Sequence, residues 1–486
     1  MSTITSEAPV WNGAFFDGEW QHASAADDIV APATGEVIGR AGAATIADLD
    51  ATVEKAVSAQ REWARKPYVE RAAVLREAAA LLRADRDRLV RWLVPESGSA
   101  QGKAQFETDL VISELDESAA LASQPNGELL RSSKPRMSFA RRLPVGIVGV
   151  ISPFNFPAIL SIRSVAPALA LGNAVILKPD PRTPISGGFV FAELLAEAGL
   201  PAGLLCVLPG GAEIGGAIVD HPGIPCISFT GSTAAGRAVG ARASAAMKKV
   251  HLELGGNNAL LVLPDADPVR AASVGAWGSF LHQGQICMTT GRHLVPRSMV
   301  AEYTAALAAS ADRLPVGDPA DGANALGPII DERQRDKVHG FVEQAVTDGA
   351  TVVAGGTYEG LFYRPTVLAD VPVNSPAFTE EIFGPVAPIV AYDSLEEAID
   401  LINSSEYGLS VSVLTAAPYA AIELTERITS GAVHINDATV DDEAVIPFAG
   451  VKSSGSGGHF GGRANLDSFT YLQWVTVQND IAQYPF

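Results

Sequence analysis

Short apolar runs that alternate with alanine-rich segments are the feature that most restricts the fold of this chain. The runs lie at 146–151, 174–177, 204–208, 226–229 and 250–254, and helix-compatible segments such as 185–198 and 233–246 lie between them. Strands without polar alternation that are connected by helices are typical of a parallel sheet covered on both faces. Ligands bind such sheets at the carboxyl ends of the strands, so functional side chains are expected there.

Further elements are predicted on both sides of this region. A second α/β block is predicted from a strand at 258–263, helices at 268–285 and 331–348, and a strand at 432–436. Near the N-terminus, Thr45 is a candidate N-cap for a helix that ends before Pro67, and a second helix is predicted over 69–94, ended by Pro95. The extended segments 137–143 and 470–478 are expected to form a small sheet at a subunit contact.

Composition narrows the class of protein. The chain has 486 residues, of which 47% are apolar and 19% charged, so it can form a core, and at about 150 residues per domain it suggests roughly three domains. A net charge of −20 argues against nucleic acid or an anionic membrane as partner, although it allows a local phosphate site. Three cysteines in so long a chain exclude a disulfide framework and favour a reducing cytoplasm.

No targeting or membrane segment is predicted. Residues 1–12 have neither a basic region nor an apolar stretch, so they do not resemble a secretory signal. The most apolar run, 165–177, is interrupted by Pro167, Gly172 and Asn173 and is shorter than the roughly 20 residues that span a bilayer. We therefore expect a cytoplasmic protein.

Cys287 and Glu253 are the strongest candidates for chemistry. Cys287 lies in the segment 282–290 (HQGQICMTT), after a predicted helix, and is either a small core residue or a nucleophile. Glu253 ends a buried-looking strand, where a carboxylate is costly unless it is hydrogen-bonded or has a raised pKa. It is therefore either a structural hydrogen-bonding group or a general base. Cys206 and Cys226 lie within apolar runs and are interpreted as core residues.

Four other segments are ambiguous when each is taken alone. The segment 230–237 follows a strand and opens a helix whose N–H groups suit a phosphate, although turn glycines are common. Asn155 is either a turn residue or a donor to developing oxyanion charge. Lys178 either reaches a cofactor hydroxyl or caps the sheet edge, and Glu381 lies in a loop where it could bind sugar hydroxyls.

Several other enzyme classes lack their signatures in this sequence. It contains no GxSxG, HExxH, P-loop or CxxC segment, and no GxGxxG follows a strand, so no metal site is expected. His251 lies two residues from Glu253 and therefore shares its strand face. A Cys–His thiol hydrolase remains an alternative on these grounds.

Taken together and in this order, these segments resemble the aldehyde dehydrogenase superfamily over nearly the whole chain. The matching segments are 153–157 (PFNFP), 178–179 (KP), 229–232 (FTGS) with Gly236, 252–256 (LELGG), 284–287 (GQIC) and 381–385 (EIFGP). The segments 178–184, 251–260, 278–293 and 431–437 are most similar to the benzaldehyde dehydrogenase group, which includes vanillin- and salicylaldehyde-type enzymes.

The resemblance implies a fold, an α/β protein with three parts. A Rossmann-like NAD(P)-binding domain would comprise 1–124 and 145–254, and an α/β catalytic domain would comprise 255–450. A small β extension for oligomerisation would comprise 125–144 and 470–486, and it implies a homo-oligomer, with a dimer expected.

The resemblance also implies an activity, the oxidation of an aromatic aldehyde of the benzaldehyde, vanillin or hydroxybenzaldehyde type to its acid with NAD(P)+. Cys287 would attack the aldehyde as a thiolate, and the Asn155 amide and the Cys287 backbone N–H would hold the resulting oxyanion. Glu253 would activate the water that hydrolyses the thioester. The residues implied to bind the cofactor are Ile151, Ser152, Phe154, Lys178, Gly211, Gly231, Ser232, Gly236, Glu381 and Phe383.

The same matching predicts an apolar, partly aromatic substrate pocket suited to a planar ring. Its residues are Phe156, Leu160, Arg163, Leu281, Ile286, Met288 and Phe448. Arg163 stands where relatives often carry an aromatic residue. It is either a surface or inter-helix arginine or, by our hypothesis, a pocket residue that favours rings with polar substituents.

One departure from the family pattern concerns the cofactor. Many NAD-preferring relatives carry a Glu three residues after the lysine that matches Lys178, whereas this chain has Pro181 there, followed by Arg182. Without that carboxylate a 2′-phosphate meets no repulsion, so we predict NAD as main cofactor with measurable NADP activity. The alternatives are an aliphatic aldehyde or semialdehyde dehydrogenase and a non-catalytic protein on the same fold.

Overall fold

The computed structural model describes residues 9–486, and it confirms that the apolar runs of the first region are parallel strands. The prediction for 1–12 falls mostly outside this range. Five parallel strands lie at the centre of the first sheet, in the spatial order Lys249–Glu253, Cys226–Thr230, Ile147–Ile151, Ala174–Lys178 and Leu205–Val207. Gly455–Ser456 flanks one edge. The strands Ala14–Phe16, Val37–Gly42 and Ala26–Val30 extend the other edge, and Trp20–His22 pairs with the first of them.

Helices cover both faces of this sheet, as the alternation predicts. They are Ile46–Trp63, Tyr68–Ala84, Asp87–Ser97, Gln101–Leu121, Pro157–Ala170, Val190–Glu197, Ala212–Asp220, Thr233–Ala245 and Ala464–Phe469. Thr45 caps the first of them through its side chain, as predicted. All side chains of the helix Pro157–Ala170 are buried, so this helix lies within the core, between the sheet and the outer helices.

A second, seven-stranded sheet lies in the 258–435 region, and its strands are parallel except for the first. Its spatial order is Thr351–Ala354, Thr366–Ala369, Val386–Tyr392, Thr290–Pro296, Asn258–Val262, Ser410–Leu414 and Ala432–Ile435. Its helices are Pro268–Phe280, Val300–Arg313, Glu332–Asp348, Pro376–Thr379, Leu395–Asn403 and Ala421–Thr425. A 3₁₀ turn at Pro319–Asp321 and a hairpin of Tyr358–Glu359 with Phe362–Tyr363 lie in the same region. The short strands Tyr407–Gly408 and Val451–Lys452, which are distant in the chain, form a separate antiparallel pair.

The two predicted extended segments pair with each other. Met137–Pro144 and Thr470–Val477 are antiparallel over eight residue pairs, and Gly127–Leu129 adds a third strand. This sheet exposes large apolar side chains, with Leu129 82% and Trp474 63% accessible. No helix within 9–486 is both long and apolar enough to cross a membrane.

Three predicted helices differ from the structure. The segment 69–94 forms two helices because Asp85 leaves the helical conformation, and its carboxylate accepts the Arg88 N–H at 3.2 Å to start the second. Pro95 lies inside that second helix, which ends at Gly98. The segment 185–198 begins as a π-helix over Ile185–Phe189. The helix predicted to Gln285 ends at Phe280 and continues as a 3₁₀ turn, Leu281–Gly284.

Candidate active site

Cys287 lies on a strained loop between a helix and a strand of the second sheet. In the 3₁₀ turn before it, His282, Gln283 and Gly284 all have positive φ, at 49°, 55° and 65°. Such angles are uncommon for residues other than glycine and occur at functional sites. A Cβ on Gly284 would lie 2.1 Å from the Gly384 carbonyl oxygen, so only glycine lets these two loops meet. This contact brings the segments 284–287 and 381–385 together.

Two hydrogen bonds and two close glycine approaches position the backbone around Cys287 and the Glu381 carboxylate. The Asn258 side-chain amide donates hydrogen bonds to the carbonyl oxygens of Cys287 and Thr289, both at 2.8 Å. A Cβ on Gly256 would lie 2.6 Å from the Cys287 carbonyl oxygen, and one on Gly255 would lie 2.2 Å from the Glu381 carboxylate. The two glycines after Glu253 therefore allow the first sheet to approach both the cysteine loop and Glu381.

The Asn155 side chain reaches the same loop from the first sheet. It is buried, and its amide donates to the Gln285 carbonyl oxygen at 2.8 Å. Its backbone is held by Lys103, whose ammonium donates to the Asn155 carbonyl oxygen at 2.9 Å and pairs with Glu107. Glu107 in turn accepts the N–H groups of Ala158 and Ile159 at the start of the next helix. This buried ion pair is not apparent from the sequence, where two charges four residues apart on a helix are typical of a solvated face.

One cavity brings together Cys287, Asn155 and all seven predicted pocket residues. Most of its walls are apolar or aromatic, and the charged side chains among them are those of Arg163, Asp441 and Asp442. The residues that line it are Asn155, Phe156, Leu160, Arg163, Leu281, Ile286, Cys287, Met288 and Phe448, joined by Phe106, Leu110, Ile159, Trp277, Val440, Asp441 and Asp442. The seven added residues carry no recognisable motif.

Arg163 is a buried wall of this cavity and not a surface arginine. Its guanidinium Nη2 donates to both carboxylate oxygens of Asp442, at 3.1 and 2.8 Å. The guanidinium also lies 4.9 Å from the Phe448 ring centre and 5.1 Å from that of Phe460. Burial lowers the Arg163 pKa, but the nearby carboxylates outweigh this, so the net pKa is raised and the side chain is charged.

Glu253 ends the first-sheet strand Lys249–Glu253 and is buried. Its Oε1 lies 3.1 Å from Nε2 of His251, on the same strand face, as the alternation predicts. Burial raises the pKa of its carboxyl well above the usual value, while the Arg163 guanidinium acts in the opposite direction. A carboxyl with a raised pKa in an apolar environment has the property of a general base.

The thiol and the second carboxylate have shifted pKa values as well. Burial and the nearby Glu381 carboxylate raise the pKa of Cys287 to about 12, against the opposing effect of the Arg163 guanidinium. Burial also raises the pKa of Glu381 to about 7, although the Gly256 N–H donates to its carboxylate at 2.9 Å. Each group therefore interacts electrostatically with at least one other member of the site.

Several of the residues predicted to bind the cofactor lie at the strand ends of the first sheet. Ser232 is the N-cap of the helix Thr233–Ala245, which presents backbone N–H groups suited to a phosphate. A Cβ on Gly236 would lie 2.2 Å from Leu254, so this glycine permits close helix–sheet packing. Lys178 is buried and its ammonium donates to the Pro179 carbonyl oxygen at 3.1 Å, which leaves two of its three donors for a ligand.

The remaining predicted cofactor residues lie at the ends of the same strands. Ile151 ends the central strand, and the Ser152 hydroxyl, 2.7 Å from that of Ser161, is buried. Gly211 starts the helix Ala212–Asp220 with open space where its Cβ would be. A Cβ on Gly231 would lie 2.7 Å from the Phe229 ring.

Phe383 lies between the first-sheet strand ends, where it contacts Phe154, and the Cys287 loop, which meets the neighbouring Gly384. It has φ of +58°, a strained angle for a bulky residue, and its ring lies edge-on to Phe154 with centroids 5.9 Å apart. The Arg182 guanidinium lies 4.1 Å from the Phe154 ring centre and forms ion pairs with Asp180 and Asp331. Arg182 is therefore already neutralised by two carboxylates.

The combination of a Rossmann-like sheet, a second α/β sheet and a thiol that interacts electrostatically with a buried carboxyl is typical of thiol-dependent oxidoreductases that act with a dinucleotide. The chain belongs to the aldehyde dehydrogenase family, whose family model matches residues 20–475. It is 56% identical to the vanillin dehydrogenase of Amycolatopsis sp., with 100% of both chains covered. It is 48% identical to the benzaldehyde dehydrogenase (NAD+) of Pseudomonas putida, with 99% of both covered.

The fold agrees with solved structures of the family. The NAD+ complex of an aldehyde dehydrogenase from Bacillus cereus superposes with a TM-score of 0.93 at 32% identity and covers 96% of each chain. An aldehyde dehydrogenase from Brucella melitensis biovar abortus superposes with a TM-score of 0.94 at 30% identity, over 97% of this chain and 99% of that one.

Proposed function

We propose that this protein oxidises aromatic aldehydes of the benzaldehyde or vanillin type to carboxylic acids with NAD+. The observation that carries the proposal is the single cavity in which Cys287 and Asn155 open onto an apolar, aromatic wall. A planar ring fits such a wall, and the two relatives named above act, by their names, on aromatic aldehydes.

The mechanism uses Cys287 and Asn155, which line this cavity, and Glu253, which lies outside its lining but interacts electrostatically with the Cys287 thiol. The Cys287 thiolate attacks the aldehyde carbon, and the Asn155 amide and the Cys287 N–H stabilise the oxyanion of the thiohemiacetal. NAD+, when bound, would supply the hydride acceptor for the oxidation of the thiohemiacetal to a thioester. Glu253 then takes a proton from the water that attacks the thioester carbon, and the C–S bond breaks to release the acid and the thiolate.

The cofactor residues are proposed from the same geometry. Lys178 and Glu381 would bind ribose hydroxyls, and the helix start at Gly231 and Ser232, with Gly211 nearby, would face the pyrophosphate. The carbonyl and side-chain groups of Ile151, Ser152 and Phe154 would line the strand ends, and Phe383 would lie beside the nicotinamide. Pro181 in place of a carboxylate supports weaker use of NADP, but Arg182 is paired with Asp180 and Asp331, so NAD+ remains the main cofactor.

The rate should rise with pH from neutral into the alkaline range. The reactive forms of Cys287 and Glu253 are both deprotonated, and burial raises both pKa values, so each active form increases about tenfold per pH unit below its pKa. Steady-state kcat/KM for benzaldehyde between pH 6 and 10 measures the Cys287 step, and kcat over the same range measures thioester hydrolysis by Glu253. Circular dichroism at each pH is the control for folding. A rate that falls between pH 7 and 9 in the folded enzyme contradicts the assignment.

Arg163 should set the preference for ring substituents. We expect Arg163→Met to lower the ratio of vanillin to hexanal kcat/KM by about tenfold or more, because a hydrogen bond to a charged group contributes about 1.5–3 kcal/mol. Methionine is unbranched and flexible like arginine but has no charge and no hydrogen-bond donors. The exposed Arg237→Met is the matched control, and an unchanged ratio in Arg163→Met refutes the role.

We propose that the three-stranded extension mediates the assembly of the protein. Its exposed apolar side chains, Leu129, Leu472 and Trp474 among them, favour burial against a second copy of the chain, as a homodimer.

We assign 125–144 and 470–486 to this extension, 1–124 with 145–254 to dinucleotide binding, and 255–450 to the thiol-bearing part. Three free cysteines, one of them the proposed nucleophile, support a reducing cytoplasmic location.

A panel of aldehydes followed by NADH absorbance at 340 nm tests the proposed function. Benzaldehyde, vanillin and hydroxybenzaldehydes should give the highest kcat/KM, and hexanal and a carboxylate-bearing semialdehyde much lower values. Each substrate is assayed with NAD+ and with NADP+. A preference for the aliphatic substrates supports the other branch of the family, and ester hydrolysis without any NADH supports a thiol hydrolase.

A further inference from the structure

His251 lies within hydrogen-bond distance of the proposed general base, Glu253. It lies two residues before Glu253 on the strand Lys249–Glu253, and its Nε2 is 3.1 Å from Oε1 of Glu253. The His251 and Glu253 side chains are 3% and 4% exposed, so their contact is shielded from water. A hydrogen bond to a carboxylate is stronger in such an environment than in water.

The surroundings of the imidazole indicate which nitrogen carries the proton. Within residues 9–486, neither Nδ1 of His251 nor Oε2 of Glu253 has a hydrogen-bond partner. A proton on Nε2 places the donor against the carboxylate, whereas a proton on Nδ1 would leave a buried donor unpaired. The tautomer with Nε2–H is therefore favoured, and it donates to Oε1 of Glu253 and not to Oε2.

The ring itself is held in place. Its centroid lies 4.1 Å from that of Phe460, and a Cβ on Gly458 would lie 3.8 Å from two of its carbon atoms. Burial lowers the pKa of His251 to about 3, with Arg163 and Lys249 acting in the same direction, so the imidazole is neutral and a weak base. It can donate a hydrogen bond without competing with Glu253 for a proton.

We propose that His251 is a positioning residue for thioester hydrolysis: its Nε2–H holds Oε1 of Glu253, so that Oε2 is oriented to take the proton of the attacking water. This inference rests on the proposed function of Glu253. In the step concerned, an O–H bond of water breaks, its proton passes to Oε2, and the oxygen bonds to the thioester carbon. The C–S bond then breaks and its electron pair returns to Cys287. His251 gains and loses no proton in this step.

The experiment measures aldehyde oxidation and thioester hydrolysis separately in the variant His251→Leu. Stopped-flow NADH formation measures attack and oxidation, and rapid-quench intact mass spectrometry measures decay of the acyl-enzyme formed from benzaldehyde and NAD+. We expect acyl-enzyme decay to slow about 10- to 100-fold, with the first turnover of NADH changed less than about twofold. Hydroxylamine, which attacks the thioester without a base, should restore turnover.

Matched variants make the result specific. His251→Gln keeps an N–H donor and should restore part of the acyl-enzyme decay rate. His251→Asn is too short to reach Oε1 of Glu253, so it should decay as slowly as His251→Leu. If His251→Leu does not fold, His251→Asn takes its place in the experiment. His434→Leu changes a half-buried histidine of the second sheet and should leave both steps unchanged.

Two outcomes overturn the inference. If the acyl-enzyme decays at the wild-type rate in His251→Leu and His251→Asn, His251 does not position Glu253. If NADH formation and acyl-enzyme decay slow equally and hydroxylamine does not restore turnover, His251 has only a structural role. Glu253→Gln is measured in parallel. If that variant also decays at the wild-type rate, the proposed function of Glu253 fails, and this failure is distinguishable from a failure of His251 alone.

Discussion

Cys287→Ala should reduce NADH formation from benzaldehyde by about 10⁴- to 10⁶-fold, the loss expected when a covalent nucleophile is removed. No other thiol can replace it, because Cys206 and Cys226 are fully buried inside strands of the first sheet and only Cys287 lines the cavity. The measurement is kcat/KM at 340 nm, together with fluorescence titration of NAD+ binding.

The controls distinguish loss of chemistry from loss of fold. Cys206→Ala removes a buried thiol at a distance from the cavity and should keep the dehydrogenase rate within a few-fold. Cys287→Ala should still bind NAD+ and melt at a similar temperature. Residual activity above about a hundredth of wild type in Cys287→Ala is incompatible with a covalent mechanism through this residue.

Glu253→Gln should stop the reaction after one turnover. Glutamine has the same size and still accepts the hydrogen bond of His251, but it cannot take a proton from water, and loss of general base catalysis costs about 10²- to 10⁴-fold. We therefore expect one equivalent of NADH per active site, followed by a steady-state rate lower by that factor. Stopped-flow absorbance and intact mass of the trapped acyl-enzyme measure both parts.

A matched carboxyl elsewhere provides the control for this variant. Glu193 lies half-buried on the helix Val190–Glu197, and burial raises its pKa as it does that of Glu253. Glu193→Gln should hydrolyse the thioester at the wild-type rate. Continuous turnover in Glu253→Gln without acyl-enzyme accumulation assigns the base to another group and contradicts the proposed mechanism.

Much of the fold could be predicted because local sequence patterns encode it. The strand Cys226–Thr230 and the helix Thr233–Ala245 lie within one residue of their predicted positions, since apolar runs and the cap at Ser232 act over a few residues. The division at Asp85 could not be predicted, because the periodicity continues through it while a single side chain caps the next helix. The strained turn at His282 was also missed, since its conformation depends on packing against distant loops.

The candidate site divides in the same way. The types and order of Cys287, Glu253 and Asn155, and the family they indicate, are properties of the sequence alone. Only the tertiary structure decided that Asp442, 279 positions away in the chain, pairs with Arg163, and that Lys103 and Glu107 support Asn155. The physical reason is that strand and helix patterns depend on neighbouring residues, whereas the partner of a buried charge is chosen only when distant segments meet and exclude water.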